Sequence, residues 1–520
     1  MVNYGYFYAV KLRIIMSNNK IAKNTLLLYF RMLLTILISL YTSRIVIKAL
    51  GVDDFGIFSV VGAFVSMFSI LSASLSSAIM RFFTYELGLG DMERLRRVFI
   101  TALLCIVFAA VIIFIFAEFI GVWFINYKMV IPPDRLNVAK WVFQYSLVIS
   151  SVNLLSVPYN AMVIAHERMS FFAYISLVEV IGKLIISFLI AEYQNDRLLL
   201  YAFLLCVFTL IVKLAYVVFC NLNFEECKYK LVFDKILVKQ MFGFAGWNFI
   251  GYSSAILRDQ GGNVIINLFF GPAVNAARGV AFQVNQAVYG FVQNFMTALN
   301  PQITKSYAVG DKEYMMKLVF IGSRFSFLLL WLLSLPLLLN TSSILNIWLE
   351  DVPDYSVLFV QLSLIFVLCE SVSQPLITTM MATGNIRNYQ IVVGGMQLLN
   401  LPISYFAIKL GCPPESIFIV AIIISLCCLV LRLNMLRPMI GISIPSFIKE
   451  VCLRCIYVVV LSSIVSLFII RIFSADTILS LIAWLVLIVL SVLVSIYYVG
   501  CKKEERVYIW EIVKKKITYV

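Results

Sequence analysis

Three arginines of this chain lie within long apolar segments, where a charged side chain is costly: Arg31, Arg258 and Arg278. A basic residue near the middle of a bilayer costs ~2.5–3.5 kcal/mol on insertion scales, so one that persists usually faces a cavity or a partner. The planar guanidinium donates to two oxygens at once, which suits a phosphate group. The three arginines therefore predict a binding site for an anion, with phosphate as the chemically favoured choice.

Polar residues at helical spacing accompany these arginines. Thr35 lies one turn after Arg31, and amides and a tyrosine recur through the segments that hold the other two arginines. The predicted polar lining comprises Asn248, Asn263, Asn275, Asn285, Tyr289 and Gln293. Because lipid does not stabilise such faces, we expect them to line a wet, positively charged cavity. Hydrogen bonds between neighbouring helices are the alternative use for them.

The remaining charges within apolar segments are fewer and have simpler interpretations. Glu179 and Lys183 are four residues apart, so they are expected to pair on one helix face. Lys213 and Arg324 lie near predicted helix ends, where a long side chain can reach the membrane interface. A role in substrate binding is the alternative for both. Glu179, Asp259 and Glu370 are the acids placed deepest in the predicted helices, and Asp259 and Glu370 are the candidates for a role in the cavity.

These residues belong to a chain of 520 residues that is 62% hydrophobic and 13% charged, with a mean hydropathy of +0.98. Soluble domains carry about 25% charged residues, so the composition excludes a water-soluble globule. The apolar runs are continuous rather than alternating, which predicts helices instead of a barrel.

We predict an all-α polytopic membrane protein of about 14 transmembrane helices. The predicted helices cover about 25–47, 55–79, 98–120, 138–163, 172–191, 198–220, 241–268, 274–299, 316–340, 356–381, 390–409, 415–436, 453–471 and 477–499. Only residues 269–273, with a Gly-Pro pair, separate the seventh helix from the eighth. This pair is expected to break one helix and start the next.

Basic residues indicate the orientation of the helices. Most of the 41 Lys and Arg residues fall in connections on one predicted side, which places both termini in the cytoplasm. Topology and contact with anionic lipid then explain the net charge of +14, and nucleic acid is not needed as a partner. No cleavable signal peptide is expected before Lys20, and Met16 is an alternative start to Met1. The eleven cysteines suggest no disulfide framework.

The chain repeats itself at an offset of 220 residues. A charged junction, "GLGDMERLRRVF" at 88–99, matches "AVGDKEYMMKLV" at 308–319. The matched positions include Gly51 and Gly271, Gly90-Asp91 and Gly310-Asp311, and Glu93 and Glu313. A displacement of six helices preserves direction across the membrane, so two parallel six-helix lobes are expected. The junction is expected to be a solvated loop with a helix cap, used twice.

The repeat defines the predicted domains. These are a cytoplasmic N-terminus (1–23), an N-lobe (24–220), a cytoplasmic inter-lobe linker (221–240), a C-lobe (241–437), a further helix pair (438–499) and a basic cytoplasmic tail (500–520). Two duplicated lobes with a site between them are typical of transporters that work by alternating access.

Three stretches of the sequence resemble a known family. They are "NTLLLYFRMLLTILISLYTSRIVIKALGVDDFGIFSVV" at 24–61, "VPYNAMVIAHERMSFFAYISLVE" at 157–179, and the segment 242–311, which contains "NLFFGPAVNAARGVA" and "NPQITKSYAVGD". Together they resemble the O-antigen (Wzx-type) flippases. These belong to the polysaccharide transporter branch of the multidrug/oligosaccharidyl-lipid/polysaccharide (MOP) superfamily.

The resemblance implies a bacterial inner-membrane protein that moves an undecaprenyl-pyrophosphate-linked oligosaccharide from the cytoplasmic to the periplasmic leaflet. It also implies two MATE/MOP-like six-helix lobes around a cationic lumen, with a final helix pair that forms a groove for the lipid tail. The arginines matched to the family are Arg31, Arg44, Arg258 and Arg278. Transport in this superfamily is coupled to proton or sodium gradients, for which Asp259 and Glu370 are the acids to test.

Three other functions compete with this one. A purely structural role in a polysaccharide assembly complex would leave the cationic and polar helix faces unexplained. A multidrug or organic-cation antiporter of the same fold would favour acids in its lumen. A membrane enzyme of polysaccharide assembly, such as a polymerase, would need a larger outer connection than 121–137; the single His166 and the lack of a phosphate loop also argue against an enzyme. We therefore expect a monomeric transporter without metal or cofactor. Its expected partners are lipid-linked oligosaccharide, membrane lipids and the polysaccharide polymerase or chain-length machinery.

Overall fold

The computed structural model describes residues 2–510 apart from 67–68, 128–130, 132, 229–233, 350–351, 473–477 and 508–509. Throughout these residues, all regular secondary structure is helical. Eleven of the described helices are long and apolar enough to cross a membrane. The chain is therefore an all-α, multi-pass membrane protein, which confirms the prediction made from its composition.

The helices pack into two compact units. Unit 1 comprises Met1–Ser253 and Thr304–Gly310, and unit 2 comprises Ser254–Ile303 and Asp311–Val520. Unit 1 contains α1 (Val2–Ser66), α2 (Ser69–Leu89), α3 (Met92–Tyr127), α4 (Leu136–Leu155), α5 (Val157–Ala165), α6 (Met169–Glu192), α7 (Arg197–Asn223) and both ends of α8 (Lys235–Ala308). Unit 2 contains the middle of α8, then α9 (Lys312–Leu339), α10 (Thr341–Trp348), α11 (Ser356–Thr383), α12 (Arg387–Tyr389), α13 (Gly395–Leu398), α14 (Asn400–Lys409), α15 (Ser416–Ile440), α16 (Ile444–Phe447), α17 (Leu453–Ile472) and α18 (Ile478–Ser495).

The eleven apolar helices coincide with eleven of the fourteen predicted spans. The other three predicted spans, at about 55–79, 241–268 and 274–299, are also helical wherever the structure describes them. The last two lie in α8, which carries Arg258 and Arg278 with their accompanying amides. Within unit 2, α11 packs between α9 and α15, which places the middle of α11 next to the polar face of α8.

The repeat seen in the sequence reappears in the backbone as two equivalent bends. Gly51 in α1 has φ 78° and ψ 172°, and Gly271 in α8 has φ 79° and ψ −176°. This combination is essentially restricted to glycine, since a side chain would meet the backbone there. The predicted helix break between the seventh and eighth spans is therefore confirmed at Gly271.

The charged junction is built twice in the same way. A glycine with φ 76° ends the first helix in each copy, at Gly90 and at Gly310. The next residue caps the following helix: Asp91 Oδ1 accepts a hydrogen bond from the backbone N–H of Arg94 at 2.9 Å, and Asp311 Oδ1 from that of Tyr314 at 3.1 Å. The ion pairs Glu93–Arg97 (2.6 Å) and Glu313–Lys317 (2.8 Å) follow in the first turns. The expectation of a solvated loop with a helix cap is confirmed.

The ends of the chain extend beyond the described residues. The predicted N-terminal segment 1–23 is helical from Val2 and continuous with the first span. Of the predicted linker 221–240, residues 229–233 lie outside the described part, and α8 begins at Lys235 after an Asp234 cap. The predicted tail 500–520 is described only as far as residue 510, without 508–509.

Candidate functional site

A polar cavity of about 180 Å³ lies within unit 2, between α8, α11, α14 and α15. Its walls hold four charged side chains, five amide or hydroxyl side chains and six apolar ones. The lining residues are Arg258, Asp259, Arg278, Phe282, Asn285, Gln286, Tyr289, Ser363, Phe366, Val367, Glu370, Asn400, Ile417, Phe418 and Ala421. This cavity is the candidate functional site of the described chain.

The bend at Gly271 brings the two arginines of α8 to one place. Arg278 Nη2 donates a 3.0 Å hydrogen bond to the backbone carbonyl of Asp259, nineteen residues earlier. In a straight helix those residues would be ~28 Å apart, so the two arms of α8 must fold back on each other. Gly262 allows the close approach, because a side chain there would collide with the Arg278 guanidinium.

Arg258 is already paired with the acid beside it. Its Nε lies 2.9 Å from Asp259 Oδ1, and its Nη2 lies 3.4 Å from Asp259 Oδ2. The guanidinium carbon also lies 4.8 Å from the centre of the Phe366 ring, within the range of a cation–π contact. The charge of Arg258 is therefore largely balanced inside the site.

Two other donors on the cavity wall are buried without an acceptor. Arg278 Nη1 has no hydrogen-bond partner among the described residues, although its guanidinium lies 5.8 Å from the centre of the Phe418 ring. Asn400 Nδ2 is likewise buried and unbonded within that part of the chain. A buried donor left unpaired costs ~1–3 kcal/mol. A ligand rich in acceptor oxygens would relieve that cost at both positions.

Glu370 sits in a polar cluster on the opposite wall. Its Oε1 accepts a 2.7 Å hydrogen bond from Ser425 Oγ and lies 4.0 Å from Arg432 Nη1. Arg432 is 1% exposed, and its Nε lies 3.4 Å from the hydroxyl of Tyr389. Among the charged side chains that line the cavity, two arginines therefore face two carboxylates, and Arg432 adds a positive charge behind Glu370.

The predicted polar lining is divided among several places. Asn285 and Tyr289 line the cavity, and Asn285 Nδ2 donates to the backbone carbonyl of Ser363 at 3.3 Å. Asn263, Asn275 and Gln293 belong to unit 2 but do not line this cavity. Gln293 is exposed, whereas Asn275 Oδ1 is buried with no hydrogen-bond partner among the described residues.

Sequence reasoning missed Asn400 and Arg432. Asn400 begins α14 just after an irregular stretch with a π-helical turn at Gln390–Gly394, so its direction could not follow from an ideal helix. Arg432 lies near the end of the predicted span 415–436, where a basic residue is normally attributed to the membrane interface.

The predicted residues before position 254 belong to unit 1. Arg31 Nη1 donates to Ser176 Oγ at 3.3 Å, and its guanidinium carbon lies 4.9 Å from the centre of the Phe172 ring. Asn248 is buried and donates to Ser77 Oγ at 3.3 Å. The two other predicted residues of this unit are Thr35, whose Oγ1 is buried with no described hydrogen-bond partner, and Arg44, which is exposed.

The secondary charge predictions have clear outcomes. Lys183 Nζ and Glu179 Oε1 are 2.9 Å apart, which confirms their pairing. Arg324 is instead completely buried, with an ion pair to Glu505 and a 3.2 Å hydrogen bond to the carbonyl of Glu450. The interpretation of Arg324 as a side chain that reaches the interface was therefore wrong.

The fold and the site define an all-α membrane protein with two equivalent glycine bends and a polar cavity of balanced charge. No family model matches the chain, and no curated protein matches its sequence. Solved structures do match it. A MATE protein in complex with MaD3S superposes with a TM-score of 0.70 at 11% identity, over 82% of this chain and 96% of the other.

Two further structures agree with this match. An outward-facing MATE family multidrug resistance transporter of the MOP superfamily gives a TM-score of 0.70 at 12% identity, over 82% of this chain and 96% of the other. A MOP superfamily transporter from Pyrococcus furiosus, described as having a binding pocket of reverse polarity that suggests a different function, gives 0.69 at 12% identity, with the same coverage. The chain therefore has the fold of MATE transporters of the MOP superfamily.

Proposed function

We propose that the chain is a flippase of the bacterial inner membrane. It moves an undecaprenyl-pyrophosphate-linked oligosaccharide from the cytoplasmic to the periplasmic leaflet by alternating access. The transporter fold supports the general activity, and the sequence resemblance to O-antigen flippases supports the substrate. Both termini are proposed to lie in the cytoplasm, since basic residues concentrate in the connections on that side.

The observation that carries the substrate is the pair of unbonded donors, Arg278 Nη1 and Asn400 Nδ2. A phosphate offers several acceptor oxygens and a negative charge, so it can satisfy both donors at once. A hydrogen bond to a charged group is worth ~1.5–3 kcal/mol, more than a neutral one. Arg258 contributes less, because Asp259 already holds its guanidinium.

The size of the cavity limits what it can hold. A volume of about 180 Å³ corresponds to about six water molecules at liquid density, and drug-sized ligands usually occupy ~300–1,000 Å³. A phosphate with an adjoining group fits this space, whereas a whole oligosaccharide or a polyprenyl tail does not. In this proposal the cavity binds the headgroup, and the remaining parts of the lipid stay outside it.

Asp259 and Glu370 are the proposed coupling acids. Asp259 neutralises Arg258, and Glu370 interacts with Ser425 and Arg432 on the other wall. Binding of a proton or sodium ion at either carboxylate would neutralise that carboxylate and leave the positive charge of the neighbouring arginine available to the phosphate. Release of the ion would restore the ion pair and weaken phosphate binding. The coupling ion would then set the affinity of the cavity for its anionic substrate.

A multidrug or organic-cation antiporter is the second candidate. The same two carboxylates favour it, and so do the Phe366 and Phe418 rings, because an organic cation could replace the guanidinium that now lies over each ring. The MATE structures that match the chain include a multidrug resistance transporter. This rival differs from the flippase in the sign of the charge that the cavity must attract.

Transport in liposomes separates the two candidates. Purified protein is reconstituted with a labelled pyrophosphate-linked oligosaccharide, and its movement is followed through protection from an external glycosidase. Loss of the Arg278 hydrogen bonds should slow transport about 10- to 150-fold in Arg278→Ala. Arg437→Ala, which removes an exposed arginine outside the cavity, serves as the matched control and should leave the rate unchanged.

Asn400→Asp tests the sign of the charge that the cavity attracts, because it replaces the unbonded amide donor with a carboxylate. The new carboxylate would repel a phosphate and attract a cation, with almost no change in side-chain volume. A flippase should lose oligosaccharide transport in this variant, whereas a cation exporter should keep or gain efflux of an organic cation such as ethidium. Wild-type protein that moves ethidium but not the oligosaccharide would overturn the proposed function.

A further inference from the structure

Two exposed side chains that line the cavity, Phe282 and Gln286, have no role in the proposed phosphate site. Phe282 lies four residues after Arg278, and Gln286 lies four residues after Phe282, so all three share one face of α8. Phe282 is 48% exposed although it lines the cavity, and Gln286 is exposed as well. The two side chains therefore extend the face that Arg278 begins.

Guanidinium groups already lie over two other phenylalanine rings of the cavity. Arg258 lies over the Phe366 ring and Arg278 over the Phe418 ring. Among the described residues, no ring pair or cation–π contact involves Phe282. Gln286 similarly has no hydrogen bond within that part of the chain, whereas the amide of neighbouring Asn285 donates to a backbone carbonyl. An open ring face thus adjoins an open amide.

This combination suits a sugar ring. A pyranose has an apolar face of C–H groups, which packs against an aromatic ring, and a rim of hydroxyls, which an amide can both donate to and accept from. Residues four apart are ~6 Å apart along the helix axis, a spacing that suits two covalently adjacent groups of a ligand. The cavity has room for a phosphate and little more than one ring.

Resting on the proposed function, we infer that Phe282 and Gln286 form a seat for the sugar that is linked directly to the phosphate held by Arg278. The recognised unit is then a glycosyl phosphate. Phe282 packs against the sugar face, and Gln286 binds its hydroxyls. Sugars further from the phosphate lie outside the cavity and are not selected by it.

Isothermal titration calorimetry on the full-length protein in detergent tests this seat. The probes are inorganic phosphate and the 1-phosphates of glucose, galactose and N-acetylglucosamine. In the wild type, at least one sugar phosphate should bind about 3- to 10-fold more tightly than inorganic phosphate, from the added aromatic contact. Phe282→Ala and Gln286→Ala should each reduce this preference, while the affinity for inorganic phosphate stays unchanged.

Matched variants separate the ring from general effects on folding. Phe282→Tyr keeps the aromatic face and should retain the preference, whereas Phe282→Leu keeps apolar volume without a ring and should lose most of it. Phe406→Ala removes an exposed phenylalanine of unit 2 that does not line the cavity, so it should behave as wild type.

The outcomes distinguish the seat from the proposed function. If every sugar phosphate binds within twofold of inorganic phosphate, the seat is overturned, and the phosphate site at Arg278 stands. The seat also fails if Phe282→Ala leaves the preference intact. If tetraphenylphosphonium binds in a Phe282-dependent way and phosphate does not bind at all, both the seat and the flippase proposal fail in favour of a cation exporter.

Discussion

Replacing Gly271 with alanine should destabilise the protein through backbone strain alone. The residue bends α8 with φ 79° and ψ −176°, a conformation in which an L side chain costs ~1–3 kcal/mol. A methyl group added there would have no atom within 4 Å, so it makes no clash and gains no contact. The free energy of unfolding should therefore fall by about the strain energy.

Gly279→Ala is the matched control. Gly279 lies eight residues further along the same helix, its φ is not positive, and a methyl group there also has no atom within 4 Å. An alanine at this position should stabilise the fold by ~0.4–1 kcal/mol, because it restricts the unfolded chain. The two variants should thus differ by about 1.5–4 kcal/mol although each adds one methyl group to open space.

The midpoint of unfolding in mixed dodecylmaltoside and SDS micelles, followed by circular dichroism, measures the difference. Gly271→Ala should unfold at a lower SDS fraction than wild type, and Gly279→Ala at an equal or higher one. Gly51→Ala should match Gly271→Ala, since the first bend has the same backbone angles and equally open surroundings. Equal midpoints for Gly271→Ala and Gly279→Ala would refute the argument that these bends need glycine.

Two further predictions concern ionic contacts outside the cavity. Arg324→Ala should lower the free energy of unfolding by ~3–5 kcal/mol in the same SDS assay, because it removes the fully buried arginine that pairs with Glu505. Lys317→Ala is the control: it breaks the exposed ion pair with Glu313 on the same helix and should cost at most ~1 kcal/mol. Burial is the largest single influence on Glu226 and would raise its pKa, but the hydrogen bond with His166 at 2.5 Å, a backbone hydrogen bond and the nearby charges of His166 and Arg96 together hold that pKa below its ordinary 4.5. The stabilisation by this carboxylate is therefore complete above about pH 4.5 and lost as pH falls through the lowered value. The difference in melting temperature between wild type and Glu226→Gln should shrink over that acidic range, and a pH-independent difference would contradict the assignment.

The architecture could be predicted because its causes are local or repeated. Continuous apolar runs predict helices in lipid whatever their neighbours are, and eleven of the predicted spans recur as apolar helices. The 220-residue offset predicted that Gly51 and Gly271 play one role, and their backbone angles agree to within about 12°. What the pattern could not predict was which groups the bend brings into contact, such as the Arg278 side chain and the backbone carbonyl of Asp259.

The charge of the cavity depends on which arginines form ion pairs with carboxylates, and the sequence alone does not show these pairs. Arg258 and Asp259 are neighbours on a helix, and adjacent residues normally point about 100° apart, so their contact does not follow from helix spacing. The length of the arginine side chain nevertheless closes a 2.9 Å ion pair, which removes Arg258 as a free cation. Arg278 differs because its nearest bonded acceptor is a carbonyl group brought close by the bend.

The sequence predicted a strongly cationic site from Arg31, Arg258 and Arg278. In the described cavity, the unpaired donors are instead concentrated at Arg278 and Asn400. A substrate phosphate would therefore be selected by the direction of those two donors more than by net charge. The conservative change Arg278→Lys keeps the positive charge and loses the planar guanidinium with its second donor direction. Arg278→Lys should therefore impair transport nearly as much as Arg278→Ala.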